Sequence, residues 1–367
     1  MKQLLIVSTN TSPHHHAFQS SVRSFVSLAD VIPRANPSAP REHRPPPPPL
    51  PAPELFHLHD ENCTIEFIDM LPPVDKENGA QASISATMVL VHGAPGTYQD
   101  FRHIIPLLQQ QQGINMRVIG VNLPGFGGSV VDEKQYFEQI SALSAAKLTL
   151  AMLQELCAAK ANVFLMGHSF GAHSAFNIAA FNQEIQKEST NQGLSIKGMV
   201  LLAPAGCRPH RVLRPKQNAI VIDLLRSSNP IIASAMPKAV KFLYTKMLGF
   251  SSDYPASHYV AGIVRAGTTD FSVITDHVQA LKSTMPSFVA WSTSDEYMEE
   301  VIPEELEKMC HPRGPRIAFA GGGHNIQKTR ADFLAVEIGK WVQEVLLPRD
   351  PAARESETKE TTIQVYP

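Results

Sequence analysis

The chain has 367 residues, 43% of them hydrophobic, enough to bury a large core once its low-complexity ends are set aside. Its 32 Lys and Arg against 34 Asp and Glu leave a formal charge of −2, which gives no broad positive field and argues against nucleic acid as a partner. A bilayer span needs roughly 18–20 uninterrupted apolar residues. PIIASAMPKAVKFLY is broken by Pro237, Lys238 and Lys241, so no transmembrane segment is expected.

Residues 1–29 hold Lys2 and Arg23 but no acid, are rich in Ser, and place Phe18, Val22, Phe25 and Val26 on one helical face. That composition fits either a mitochondrial transit peptide or a disordered extension, and leaves localisation as cytoplasmic or mitochondrial. The apolar stretch LLIV is too short for a secretory signal. RPPPPPLPAP, residues 44–53, must run as polyproline II, because proline fixes φ and removes a donor. It is either a stiff linker or, through Pro48, Pro49, Leu50 and Pro51, a ligand for a WW-type partner.

From residue 54 onward short apolar runs alternate with helical patterns. LFHLHDE and CTIEFIDM are expected as an antiparallel edge, SATMVLVHG as a buried strand, and YQDFRHIIPLLQQQ as a helix interrupted near Pro106. MRVIGVNLPG reads as the next strand, QYFEQISALSAAKLTLAMLQEL as one long amphipathic helix, and ANVFLMGHS as a strand leading into another helix. Three more strands are expected in KGMVLLAPAG, MPSFVAWSTSD and PRIAFAGGGH, with helices in EEVIPEELEKM and RADFLAVEIGKWVQEVL. The alternation predicts an α/β fold, a mostly parallel central sheet flanked by helices.

The expected divisions are 1–53 (disordered, with the proline linker), 54–206 (first part of the core), 207–284 (inserted helical cap), 285–347 (second part of the core) and 348–367 (polar, disordered tail). Residues 207–284 far exceed an ordinary connection and should form helices over the site. Val240, Leu243, Met247 and Phe250 share one face, suited either to packing on the core or to peripheral contact with lipid or a hydrophobic substrate.

In open α/β sheets ligands bind at the carboxyl ends of the strands, and the notable residues fall there. His92, Gly93 and Ala94 end one strand, Ser169 another, Asp295 a third and His324 a fourth. In GHSFGA, Gly167 and Gly171 remove bulk two residues either side of Ser169, which a strained strand-to-helix turn requires. A serine hydroxyl is a weak nucleophile unless a base takes its proton and an acid orients that base. Asp295 and His324 follow in the order that such a site uses, with Glu296 or Asp270 as rival acids and Gly321 to Gly323 easing delivery of the imidazole. His92 is expected to brace the loop at Gly93, His168 and His173 to pack or hydrogen-bond locally, and His311, at a helix end next to Pro312, to be a surface cap. NLPGFGGS lacks the residues of a phosphate-binding loop and reads as a turn on the rim. Cys63, Cys157, Cys207 and Cys310 show neither metal-ligand nor disulfide spacing, which fits reduced thiols in an intracellular setting.

Together HGAPG, NLPGFGGS, GHSFGA, WSTSDEYM and GGGHNIQ resemble the α/β-hydrolase superfamily over about residues 55–347. The resemblance implies an α/β-hydrolase fold in which Ser169 is nucleophile, His324 general base and Asp295 its orienting carboxylate. It further implies an oxyanion hole from the backbone N–H groups of Ala94 and Phe170, with no metal or organic cofactor. A serine here argues against the epoxide-hydrolase and haloalkane-dehalogenase branches, which carry a carboxylate, and Phe170 stands where some peptidases have Trp. The expected function is hydrolysis of an ester, thioester or amide of a small, hydrophobic acyl substrate. Alternatives are carbon–carbon bond hydrolysis, a non-catalytic ligand-binding protein of the same fold, or an adaptor recruited through the proline run.

Overall fold

Residues 48–72, 84–189, 193–347 and 362–367 are described by a computed structural model. The transit-like segment, the first prolines of the proline run and tail residues 348–361 lie outside the described residues. In chain order the elements are β1 (Glu54–Leu58), β2 (Cys63–Met70), β3 (Ile84–Val91), α1 (Ile105–Gln109), β4 (Ile114–Val121), α2 (Ala142–Leu156), β5 (Val163–His168), α3 (Gly171–Glu188) and β6 (Ile196–Leu202). Four helices follow, α4 (Pro215–Leu225), α5 (Pro230–Phe242), α6 (Ala256–Gly267) and α7 (Phe271–Leu281). The chain then returns to the sheet with β7 (Ser287–Ser292), α8 (Val301–Met309), β8 (Arg316–Phe319), α9 (Ala331–Leu346) and β9 (Gln364–Tyr366).

The strands make one 9-stranded sheet in the order β1-β2-β4-β3-β5-β6-β7-β8-β9. β1 and β2 pair antiparallel, as do β2 and β4, while every pairing from β4 through β3 to β9 is parallel. This is the α/β-hydrolase architecture, with a helical insertion, α4 to α7, between β6 and β7.

Why the strands read as unbroken apolar runs is visible in their alternation. Val89 and Val91 point into one core layer with Leu165, Met199 and Leu201, while Met88 and Leu90 point into the other with Phe164, Met166, Val200 and Leu202. A strand covered on both faces has no polar side to show. α2 and α3 supply the first layer, and α1 and α9 the second. There Trp341 of α9 packs edge-on against Phe164 and Phe288, at centroid distances of 5.6 and 6.0 Å.

The structure corrects three sequence expectations. The segment after β3 is a single 3-10 turn, Tyr98–Phe101, followed by the short α1, and Pro106 sits in the first turn of α1, where its missing N–H costs no hydrogen bond. The long helix before β5 is two: one turn, Tyr136–Gln139, and then α2, because Ser141, at the residue before α2, is extended (φ −68°, ψ 159°) and interrupts the helical backbone. The tail is not wholly irregular, since β9 pairs with β8 and Tyr366 packs on Phe319 and Phe333. Its cue was the β-branched and aromatic pair Val365–Tyr366, hidden in a polar context.

In the insertion, Val240 of the expected apolar face is buried and Leu243, Met247 and Phe250 are half-buried. The four cysteines are free thiols, three buried and Cys207 half-buried. Among the described residues no helix is long and apolar enough to cross a membrane. Pro48, Pro49 and Pro51 are exposed, while Leu50 packs against the core layer of α1 and α9.

Candidate active site

β5 ends at His168 and α3 begins at Gly171, so Ser169 must reverse the chain within two residues. It does so at φ 56°, in the left-handed region that costs a non-glycine residue energy and persists only where surroundings enforce it. The enforcement is local: the Ser169 N–H donates to Leu202 O at 3.0 Å, and its carbonyl accepts from Ala172 and Ala205. No other residue fits at Gly171, where a Cβ would lie 2.0 Å from Val91 O, and at Gly167 it would lie 2.6 Å from the backbone of Gly171 and Ala172. These two glycines let the turn close against β3, and Ser169 lines a cavity of about 540 Å³ above the sheet.

Two further strand ends supply the next residues. His324, after β8, places Nδ1 2.7 Å from Asp295 Oδ2, after β7. Nδ1–H therefore donates to the carboxylate, leaving Nε2 without a proton in the neutral ring. The second carboxylate oxygen accepts the N–H groups of Tyr297 and Met298, each at 2.8 Å. Burial pushes the Asp295 carboxyl upward, but the adjacent His324 and these three hydrogen bonds outweigh it and hold the group below the usual carboxylate range. Asp295 thus caps the turn that follows it and orients the ring. Glu296 accepts the His324 backbone N–H at 3.0 Å, so it holds the loop rather than the imidazole. Asp270 is elsewhere, capping α7 through the N–H groups of Ser272 and Val273.

Gly322 and Gly323, at φ 129° and 65°, carry the backbone into the loop that presents His324. His324 lines the same cavity as Ser169. Among the described residues no hydrogen bond joins the Ser169 hydroxyl to the ring.

Ala94 and Phe170 also line the cavity, and no acceptor within the described residues takes either N–H. The loop that carries Ala94 is tied from behind by His92, fully buried, whose Nε2 accepts the Leu123 N–H at 3.0 Å while Nδ1 donates to Gly93 O at 2.6 Å. Both roles require the neutral imidazole, and burial, then the charge of Arg265, lowers its pKa well below the ordinary value. His168 meets the carbonyl of His324 through Nε2 at 3.0 Å, and His173 meets Gly206 O at 2.8 Å. Burial depresses them to about 3 and about 4.

Other residues on this cavity were not singled out in the sequence. Asp100, whose Oδ2 accepts the Thr97 N–H at 3.1 Å, is pushed up to about 6 by burial. His210 and His258, both buried and lowered to about 4 by burial, come from the insertion. His258 stacks on Tyr254 at 4.2 Å. No local motif marks these positions, because tertiary packing alone brings them here. Leu248 adds apolar wall beside Leu243 and Phe250, two residues of the apolar face expected from the sequence. Among the described residues no group of three or more His, Cys, Asp or Glu side chains is arranged to hold a metal ion.

Comparison with known proteins places the fold and the family. The sequence model of a family described as alpha/beta hydrolase of unknown function (DUF1057) matches residues 72–313. An uncharacterized protein of Caenorhabditis elegans is 22% identical over 197 residues, 52% of this chain and 49% of its own, so the chain spans about half the length of that curated relative. An esterase from Thermogutta terrifontis superposes with TM-score 0.56 at 17% identity, covering 81% of this chain and 100% of that one. An esterase from Exiguobacterium antarcticum (TM-score 0.55, 14% identity, 79% and 98% covered) and a bromoperoxidase from Bacillus anthracis (0.55, 14%, 80% and 100%) share the same fold.

Proposed function

Because the chain belongs to the alpha/beta hydrolase family that its residues 72–313 match, we propose that it is a serine hydrolase acting on an ester, thioester or amide of a small, hydrophobic acyl substrate. The observation that carries the reading is one cavity shared by a serine on a strained turn and an imidazole whose Nδ1 is held by a buried carboxylate. Ser169 attacks the acyl carbonyl carbon as His324 Nε2 takes the hydroxyl proton, and Asp295 steadies the imidazolium so formed. The N–H groups of Ala94 and Phe170 receive the oxyanion, each worth roughly 2.7–4 kcal/mol in comparable sites. Collapse breaks the bond to the leaving group, which departs with the proton from His324. Water then attacks the acyl-enzyme with His324 as base again, and the acid product leaves Ser169 regenerated.

The insertion acts in this reading as a lid over the acyl group. Leu243, Leu248 and Phe250 wall the cavity, while Ile231 and Phe242 of α5, 77% and 59% exposed, offer apolar surface to a lipid interface or a hydrophobic substrate. Trapping tests the mechanism: brief reaction with an activated short-chain ester followed by acid quench should leave one acyl group on the peptide carrying Ser169. An adduct on another side chain, or turnover that survives in Ser169→Ala, would overturn the assignment.

A further inference from the structure

Helix α6 of the insertion carries Arg265, only 1% exposed; burial lowers its pKa to about 9, so it stays charged at neutral pH, and among the described residues no carboxylate pairs with it. Its hydrogen bonds go instead to one restricted set of atoms. Nη2 donates to Phe170 O at 3.0 Å and to the Ser174 hydroxyl at 2.6 Å. Nη1 reaches His92 O and Gly93 O at the longer distances of 3.4 and 3.5 Å. The guanidinium also lies over the Phe126 ring, 6.0 Å from its centroid.

These acceptors belong to the loop after β3 and to the start of α3. Gly93 O shares its planar peptide with the Ala94 N–H, so fixing the direction of the carbonyl fixes the opposed N–H. Phe170 O lies one peptide beyond the Phe170 N–H, so holding it limits rotation of the turn. Removing a cation from water is costly even after relaxation, and with no anionic partner among the described residues only dipoles offset that cost. An apolar side chain would fill the same space without it, which points away from mere packing.

We propose that Arg265 is a positioning residue for the oxyanion site: it holds the Gly93–Ala94 peptide and the Phe170 turn in register, and its charge lies behind both donors. The inference rests on the serine-hydrolase reading. Its consequence is that the competence of the sheet rim depends on the docking of α6, so that the insertion governs turnover as well as access.

The test uses the full chain as wild type, R265M, R265K and S174A, with p-nitrophenyl butyrate turnover, phenylboronic acid binding, thermal melting and fluorophosphonate labelling. R265M that melts cooperatively should lose on the order of 10²-fold in kcat with KM within about twofold, because oxyanion stabilisation acts on the transition state. Boronate affinity should fall in parallel, R265K should recover part of both, and S174A should lose a few-fold in kcat. Folded R265M with wild-type kcat, or a defect confined to KM, overturns the proposal and leaves Arg265 a structural brace. If neither arginine variant folds, S174A decides: a lowered kcat at unchanged KM supports the positioning role, and unchanged kinetics refute it. Wild type that neither labels nor turns over defeats the serine-hydrolase reading and this inference with it. Active wild type beside wild-type-like R265M defeats this inference alone.

Discussion

The carboxyl edge of the sheet and the helical insertion meet at one cavity, yet they are built by opposite means. At the sheet edge, backbone geometry sets each position: Ser169 is turned by its φ of 56° between two glycines that no larger residue can replace, and His324 is presented by a loop through Gly322 and Gly323. The insertion contributes side chains on ordinary helices: Leu243 and Phe250 as wall, His210 and His258 as neutral polar groups, Arg265 as a buried cation. The contrast teaches that the rim positions are set by the main chain, while the insertion adds side chains of two kinds: a wall (Leu243, Phe250) that can vary without moving the rim, and Arg265, whose hydrogen bonds tie it to the rim.

The sharpest way to break that division is to change the acid on each side of it. Asp295→Asn should lower kcat by about 10³–10⁴-fold with the fold retained, since it keeps the shape but loses the charge that orients and stabilises the imidazolium. Asp270→Asn should cost at most about 1 kcal/mol of stability, as a weakened cap on α7, and leave kcat intact. Steady-state kinetics and melting of the two variants would show whether these effects are exchanged.

A second test concerns acid stability, which both regions share. His92, His168 and His173 on the sheet side and His210 and His258 at the insertion side of the cavity are all buried, and burial lowers each folded-state pKa. An unfolded histidine titrates near 6.5, so below that pH the unfolded state binds protons that the folded state refuses. Stability therefore rises with pH through this window, and on acidification from about pH 7 to pH 5 the protein should lose several kcal/mol. Urea titrations at the two pH values check this, and equal midpoints would contradict it.

The smallest effect should come from the wall. Phe250→Ala removes apolar contact that substrate and transition state share, so KM for a medium-chain ester should rise by a few-fold, roughly tenfold at most, with kcat nearly unchanged. A kcat effect larger than the KM effect would move Phe250 from the wall into the chemistry.

The same division explains how far the sequence could be read. Ser169, Asp295 and His324 stood out because strand ends, glycines and chain order are local signals, and all three strand-end loops converge in space. The parallel sheet followed from apolar runs that lack a polar face. What escaped was set by tertiary contact. Arg265 lies in an unremarkable helical stretch, AGIVRAGTT, and its acceptors are about 90 and 170 residues away in sequence. The break at Ser141 escaped because the apolar period runs straight through it, and β9 because three strand residues follow a long polar stretch.

The central claim is that Ser169 is an activated nucleophile, and labelling of the purified full chain by a fluorophosphonate probe tests it most directly. The account predicts one label per molecule, on Ser169, abolished both in Ser169→Ala and by heat denaturation. Folded wild type that stays unlabelled, or a label that persists in Ser169→Ala, would contradict it.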